Sequence, residues 1–370
     1  MNYKPFPPLN GMASFWRSSP GVLDNHKSTS QLPSECDIII IGAGYLGASL
    51  ATHMLSLPES RDKSIVVFEA RELCSGATGR NGGHLKPDVY NLCSRTAGKH
   101  GIDAAAEITE FELANLEAVK DHVLQNNIDC DFIVTQAVDV HSGVSGIKGA
   151  KGAFNRGSVR AQKVIIATNA YTAALLLAYQ ERTIPYRAIC SRIVAPTPPM
   201  LADSYSLRSS PRDFDYLIPR PDGSITVGGA RSAYFRHTDD WYGSVDNTKL
   251  IEKAKDYFDG YMQRYFRGWE NSGAYTDQIW TGILGYSLDA LPRIGHIPGW
   301  QNMFIMGGFT GHGMPQVFLA GEAISRMVLQ NASYSDTGLP RLFKETAVRL
   351  GSGENFLQDM IGNEPTLARM

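Results

Sequence analysis

Three glycines at fixed offsets, Gly42-Ala43-Gly44-Tyr45-Leu46-Gly47, stand between a run of isoleucines and a run of helix-favouring residues. A dinucleotide phosphate asks for this spacing: Gly42 for a tight turn, Gly44 for approach of a pyrophosphate to the backbone, Gly47 for close packing of helix on strand. The helix N-terminus then presents free N–H groups and its positive dipole end to the anion. Glu69 closes the next apolar run, 22 residues beyond Gly47. A carboxylate there accepts from both hydroxyls of an adenosine ribose and repels a 2′-phosphate, which disfavours NADP. On these residues alone NAD and FAD remain equal candidates.

The segments that follow separate the two. Cys74-Ser-Gly-Ala-Thr-Gly-Arg-Asn-Gly-Gly-His-Leu85 is a second Gly-rich stretch directly after the first unit, and Val164-Ile-Ile-Ala-Thr-Asn-Ala-Tyr171 is an apolar run ending in small polar residues. Further on come Gly282-Ile-Leu-Gly-Tyr-Ser-Leu-Asp-Ala-Leu-Pro-Arg-Ile-Gly295 and Gly307-Gly-Phe-Thr-Gly-His-Gly-Met314. In this order, over roughly residues 36–328, the chain resembles the flavoprotein family of D-amino acid, glycine and sarcosine oxidases.

The resemblance implies FAD, held by Gly42, Gly44, Tyr45, Leu46, Gly47, Glu69 and Ala70 of the first unit and by Thr78, Arg80, Asn81, Gly82 and Gly83 of the second. Thr168 and Asn169 after the returning strand, and Gly308, Gly311, His312, Gly313 and Met314 in the last loop, complete the implied cofactor site. His84, at the end of the segment that runs toward the flavin ring, and His312 are the candidate catalytic side chains; no metal ligands are expected. Pro315 suits the first turn of a helix starting near Met314, whose positive end would face the flavin. Arg231 and Tyr234 are weaker candidates for substrate contact.

Departures from the family matter too. Sarcosine-type members attach flavin through a cysteine before the Asp-containing turn, and no cysteine follows Cys190 here, so binding is expected to be noncovalent. The arginine that D-amino acid oxidases set against a substrate carboxylate has no match around Trp280 to Tyr286. Only His141 to Arg156 joins two segments between which the family carries a substrate-domain stretch and an adenine-side strand. The chain is therefore expected to be a shortened member, with several dozen residues missing and weakened activity.

These residues need elements to position them. Asp37–Ile41, the helix Tyr45–Leu57 and Ser64–Glu69 form a βαβ unit. Apolar residues at 108, 111, 113, 116, 119, 123 and 124 predict a helix over 103–126, followed by a strand over 131–140. Lys163–Thr168 reads as a strand and Asn169–Gln180 as a helix; Asp215–Arg220 and Ser224–Gly229 read as a hairpin closed by Pro221-Asp222-Gly223. Asn247–Phe266 looks helical, Met303–Met306 is a short strand, and a helix is expected from about Met314 to Val328.

The expected class is α/β: a Rossmann-like FAD-binding domain with an inserted antiparallel-sheet substrate domain. Its expected parts are an irregular arm (1–34), FAD-binding segments (35–126, 157–182, 278–330), a substrate-domain remnant (127–150), the substrate domain (183–277) and a tail (331–370). The apolar stretch Ile38–Leu57 is long enough to cross a bilayer, yet its glycines divide it into strand, turn and helix. A net charge of -2 gives no field to draw nucleic acid or an anionic membrane. Five scattered cysteines without a CxxC pair, and no apolar leader, point to the cytoplasm. Ala368-Arg369-Met370 offers a peroxisomal address as the alternative.

The activity implied is oxidation of the C–N bond of an amine or amino-acid-like substrate by hydride transfer to FAD, with O2 or another acceptor taking the electrons. The alternatives are a shortened, non-catalytic paralogue with weak nucleotide binding and an NAD-dependent dehydrogenase built on the first βαβ unit.

Overall fold

The computed structural model describes residues 6–141, 159–196, 201–209 and 213–362. In chain order it contains β1 (Glu35–Ile41), α1 (Tyr45–Ser56), β2 (Ile65–Phe68), α2 (Asn91–His100), α3 (Ile102–Gln125), β3 (Ala137–His141) and β4 (Arg160–Ile166). Then follow α4 (Thr172–Leu175), β5 (Thr183–Val194), β6 (Ser204–Arg208), β7 (Phe214–Pro219), β8 (Ile225–Gly229), α5 (Arg231–Tyr234), α6 (Tyr261–Tyr265) and β9 (Tyr275–Ser287). The chain closes with β10 (Arg293–His296), β11 (Met303–Gly307), α7 (Val317–Leu329), α8 (Ala347–Gly351) and α9 (Phe356–Gly362).

Two sheets result. The first has the order β10-β11-β4-β1-β2, parallel except for β10. Its strands are apolar on both faces because both are covered, as parallel sheets require. Ile38, Ile40, Ile165 and Phe304 pack with Leu50, Ile108 and Ile324 in the core that α1, α3 and α7 share, while Ile41, Ile166 and Ile305 turn to Ala173 and Tyr179 on the other face. The alternation follows from the two-residue period of a strand. Helices α1 and α7 approach so closely that a Cβ on Gly321 would lie 2.0 Å from Ser49 Oγ.

The second sheet has the order β3-β6-β7-β8-β5-β9, antiparallel but for the β3–β6 pair. Its core gathers Tyr186, Leu217, Val227, Trp241, Phe258, Tyr261 and Trp269, and it recruits Leu357 and Met360 from α9. The expected class, a Rossmann-like domain with an antiparallel-sheet insertion, is what the chain forms.

Several expectations need correction. The boundary expected at residue 278 falls inside β9, which pairs with β5 along its whole length and so belongs to the second sheet through Ser287. Asn169–Gln180 and Asn247–Phe266 break into short pieces, α4 and α6 among them, instead of continuous helices, the second with Gly260 at φ +62°. Helix α7 begins at Val317 behind Gln316, so Pro315 precedes it. The arm is irregular yet not loose: Met12 N donates to Asn247 O (2.8 Å) and Trp16 Nε1 to Asn81 O (2.6 Å), pinning the second Gly-rich segment. The short connection and Ala368-Arg369-Met370 fall on residues outside those described, save His141 at the edge of β3.

Candidate functional site

The Gly-rich turn behaves as its spacing predicts. Gly42 sits at φ +112°, and a Cβ there would lie 2.6 Å from Ala167 O at the end of β4. A Cβ on Gly47 would meet Gly42 O at 2.0 Å, so strand and helix can close only without one. Glu69 lies at the head of the turn. Its Oε2 accepts from Ala43 N (2.8 Å), and its Oε1 accepts from Ala70 N (3.0 Å) and Arg71 N (3.2 Å). The N-terminus of α1 faces the second Gly-rich segment directly, with Tyr45 N donating to Thr78 Oγ1 (2.9 Å). Leu46 packs into the first core.

The second segment is rigid. Asn81 Nδ2 donates to Ala77 O and Thr78 O, and its Oδ1 accepts from Gly83 N. Arg80 is buried, with Nε donating to Ser75 O and Nη1 to Thr281 O (both 2.9 Å), and its pKa falls to about 10 because of burial and then the nearby Arg71. Ser75 Oγ is buried without a partner among the described residues.

The last loop, between β11 and α7, is shaped by positive φ at Gly308, Thr310 and Gly311. Asn169, itself at φ +44°, latches it: Oδ1 accepts from Gly308 N (2.9 Å) and Phe309 N (3.3 Å). Thr168 Oγ1 meets Thr172 Oγ1 at 3.3 Å. The two side chains expected at the cofactor thus bond to the neighbouring turn and to the loop. On the far side Glu112, buried in α3, accepts from Asp88 N (2.9 Å), His312 Nε2 (3.0 Å) and Gln316 Nε2. Burial lowers the His312 pKa, but the Glu112 charge and hydrogen bond outweigh it and hold the imidazole above its ordinary value.

The second Gly-rich segment and the last loop meet the second sheet around one cavity of about 500 Å³, which neither the Gly42 turn, Glu69, Thr168 nor Asn169 lines. Asn81, Gly82, His84, Gly311, His312 and Met314 line it, joined by Tyr186, Cys190, Tyr216, Arg231, Tyr234 and Tyr286. His84 Nε2 is 2.9 Å from Ser204 Oγ. Arg231 enters because Asp215 accepts from Ala230 N (2.7 Å), which holds Ala230 left-handed and starts α5 there. Its guanidinium donates to Tyr286 Oη (2.6 Å) and lies 5.3 Å from the Tyr186 ring centre. The Cys190 thiol is pushed up to about 12 by burial, so it stays protonated and unreactive. Sequence reasoning missed Glu112, Tyr186, Tyr216 and Tyr286. Glu112 left a trace, as a charge among Ile108, Phe111, Asn115 and Val119 on the buried face of α3.

The turn at Gly42, the carboxylate of Glu69 and a polar-rimmed cavity at the strand ends define a dinucleotide-dependent oxidoreductase. The model of the FAD dependent oxidoreductase family (DAO) matches residues 37–144 and 133–327. The chain belongs to that family, its cofactor is FAD, and the NAD alternative falls.

The chain is 21% identical to gamma-glutamylputrescine oxidoreductase of Escherichia coli (strain K12), over 88% of this chain and 93% of that one. It is 21% identical to glycine oxidase of Bacillus licheniformis, over 80% and 93%. L-proline dehydrogenase from P. horikoshii shares the fold with a TM-score of 0.61 at 16% identity, over 82% and 95%. These coverages give no support to the expectation of a missing middle segment, and the bacterial relatives give none to a peroxisomal address. No helix among the described residues is long and apolar enough to cross a membrane.

Proposed function

We propose that this FAD-dependent oxidoreductase oxidises the C–N bond of an amine carrying a carboxylate. The observation that carries the reading is Arg231, a permanent cation set among Tyr186, Tyr234, Tyr286 and the Asp213 charge in the cavity that the second Gly-rich segment and the last loop also line. A guanidinium fork pairs a carboxylate in two parallel hydrogen bonds, which fixes a small substrate's orientation.

Bound FAD supplies the acceptor for a hydride from the carbon beside the nitrogen. Gly42, Gly44, Gly47, Glu69, the 78–83 segment and the 308–314 loop would hold it without a covalent bond. The chain's own residues do the rest. The N-terminal end of α7, and His312 in its protonated form, favour negative charge beside them. His84, whose Nε2 lies near Ser204 Oγ, is the group proposed to take the ammonium proton, because only a neutral amine gives up a hydride. The aromatic walls keep water from the reacting atoms. O2 or another soluble acceptor is proposed to take the electrons, and the cytoplasm is the proposed site of action.

The test is anaerobic mixing of the flavin-loaded protein with a panel of amino acids, N-alkyl amino acids and simple amines. Bleaching of the visible flavin band by carboxylated members, with KM rising at least tenfold in Arg231→Met, supports the reading. Bleaching by uncarboxylated amines alone, or by none, overturns it.

A further inference from the structure

The polar tail after α7 builds part of the cavity. In α9, Leu357 and Met360 are 0% and 3% exposed within the second sheet's core, and Phe356 and Met360 line the cavity as well. Phe356 is fixed by its own N–H donating to Leu288 O (2.7 Å) and by the Arg95 guanidinium 5.0 Å from its ring centre. Asn91, Arg95, Leu291 and Pro292 also line the cavity, and none belongs to the segments that hold FAD. Outside, Lys99 and Glu354 pair at 2.6 Å with both side chains about half exposed, a contact that guides the tail onto α2 while holding it weakly.

We propose that α9 is the size-selecting wall of the substrate cavity, with Phe356 setting the length of aliphatic chain that a carboxylate ligand can place there. The proposal rests on the cavity being the substrate site. A phenyl ring stops a growing chain by contact. Until that contact each buried methylene tightens binding roughly fourfold, and beyond it the gain ends or reverses, because packed interiors do not yield a methylene's volume freely. Replacing the ring with a methyl opens the wall while Leu357 and Met360 keep α9 seated.

The experiment titrates the flavin-loaded full chain with straight-chain carboxylates from acetate to octanoate and reads the perturbation of the visible flavin spectrum, which needs binding but no turnover. Affinity should climb with length to a limit, Phe356→Ala should move that limit two or three carbons longer, and Phe356→Trp should shorten it. Val348→Ala, on α8 where the side chain is 83% exposed, should leave the limit in place. The same limit in wild type, Phe356→Ala and Phe356→Trp overturns the proposal, as does a wild-type spectrum that no carboxylate perturbs. A shifted limit with no amine bleaching the flavin would sink the proposed activity and leave the wall standing.

Discussion

Glu112 offers a prediction that separates a packing role from an electrostatic one. It is 1% exposed, and it accepts from Asp88 N, His312 Nε2 and Gln316 Nε2, which joins α3 to the chain before α2 and to the loop before α7. Glu112→Ala leaves those donors without their acceptor, at about 1–3 kcal/mol for each buried group. His312 reaches solvent in part, so the total falls near 3–5 kcal/mol, or about 4–6 °C in melting temperature for a chain of this size. Glu112→Gln keeps the shape but turns an amide N–H2 toward other donors, a smaller loss of about 1–2 kcal/mol.

The charge term carries a sign. Folding raises the His312 pKa, so its contribution is fully present below the unfolded value of about 6.5 and is lost as pH climbs through the folded value. The gap in stability between wild type and Glu112→Gln should therefore be widest on the acid side and narrow as pH rises past about 6.5. Melting followed by circular dichroism from pH 5.5 to 8.5 measures it. A gap that does not change with pH, or a loss in Glu112→Ala no larger than in Glu117→Ala on the exposed face of α3, refutes the reasoning.

Three further outcomes are expected. Gly44→Val should yield a folded, colourless protein, since even a Cβ there lies 2.9 Å from Thr78 Oγ1 before the methyls are counted; normal flavin absorbance after purification would contradict this. Asn169→Ala removes the acceptor for Gly308 N and Phe309 N and should weaken flavin affinity about tenfold through the loosened loop, read by fluorescence as FAD dissociates. Glu345→Ala leaves Arg293, 1% exposed, as a buried charge without its ion partner and should cost about 3–5 kcal/mol, whereas Arg293→Met with Glu345→Leu should recover most of that in the same melt.

The first sheet was legible because its signals are local. Four isoleucines in β1 sit between Asp37 and a glycine turn, and the same strand-turn-helix text returns at β11 and α7. The stretch 247–266 misled for an instructive reason: Ile251, Ala254, Phe258, Tyr261 and Met262 are all buried at helical spacing, yet successive turns deliver the same residues inward without a continuous helix. In α3 the predicted face was partly wrong, since Leu113 and Leu124 are exposed while Glu112 and Asn115 are buried. Helix α9 was illegible because it is seven residues long and its apolar face is buried by strands more than sixty residues earlier.

What holds the site together was least visible of all, and the reason is physical. The segments that line the cavity are distant in the chain, and three polar side chains, Glu112 and Asp215 buried and Asn169 partly so, fix their relations by accepting from backbone N–H groups of other segments: Asn169 to the Gly308 loop, Glu112 to Asp88, Asp215 to Ala230. A hydrophobic contact tolerates sliding, whereas an acceptor that must meet two or three donors fixes position and angle together. Burying such a group without its partners costs more than the bonds return, so these side chains stay inside only while the cavity keeps its geometry. A lone Asn after an apolar strand and a lone Glu on an apolar helix face read as blemishes in a hydrophobic pattern. In a flavoprotein built from separated segments they are the points at which catalytic geometry is set, so substitutions there should disturb flavin retention and substrate orientation together.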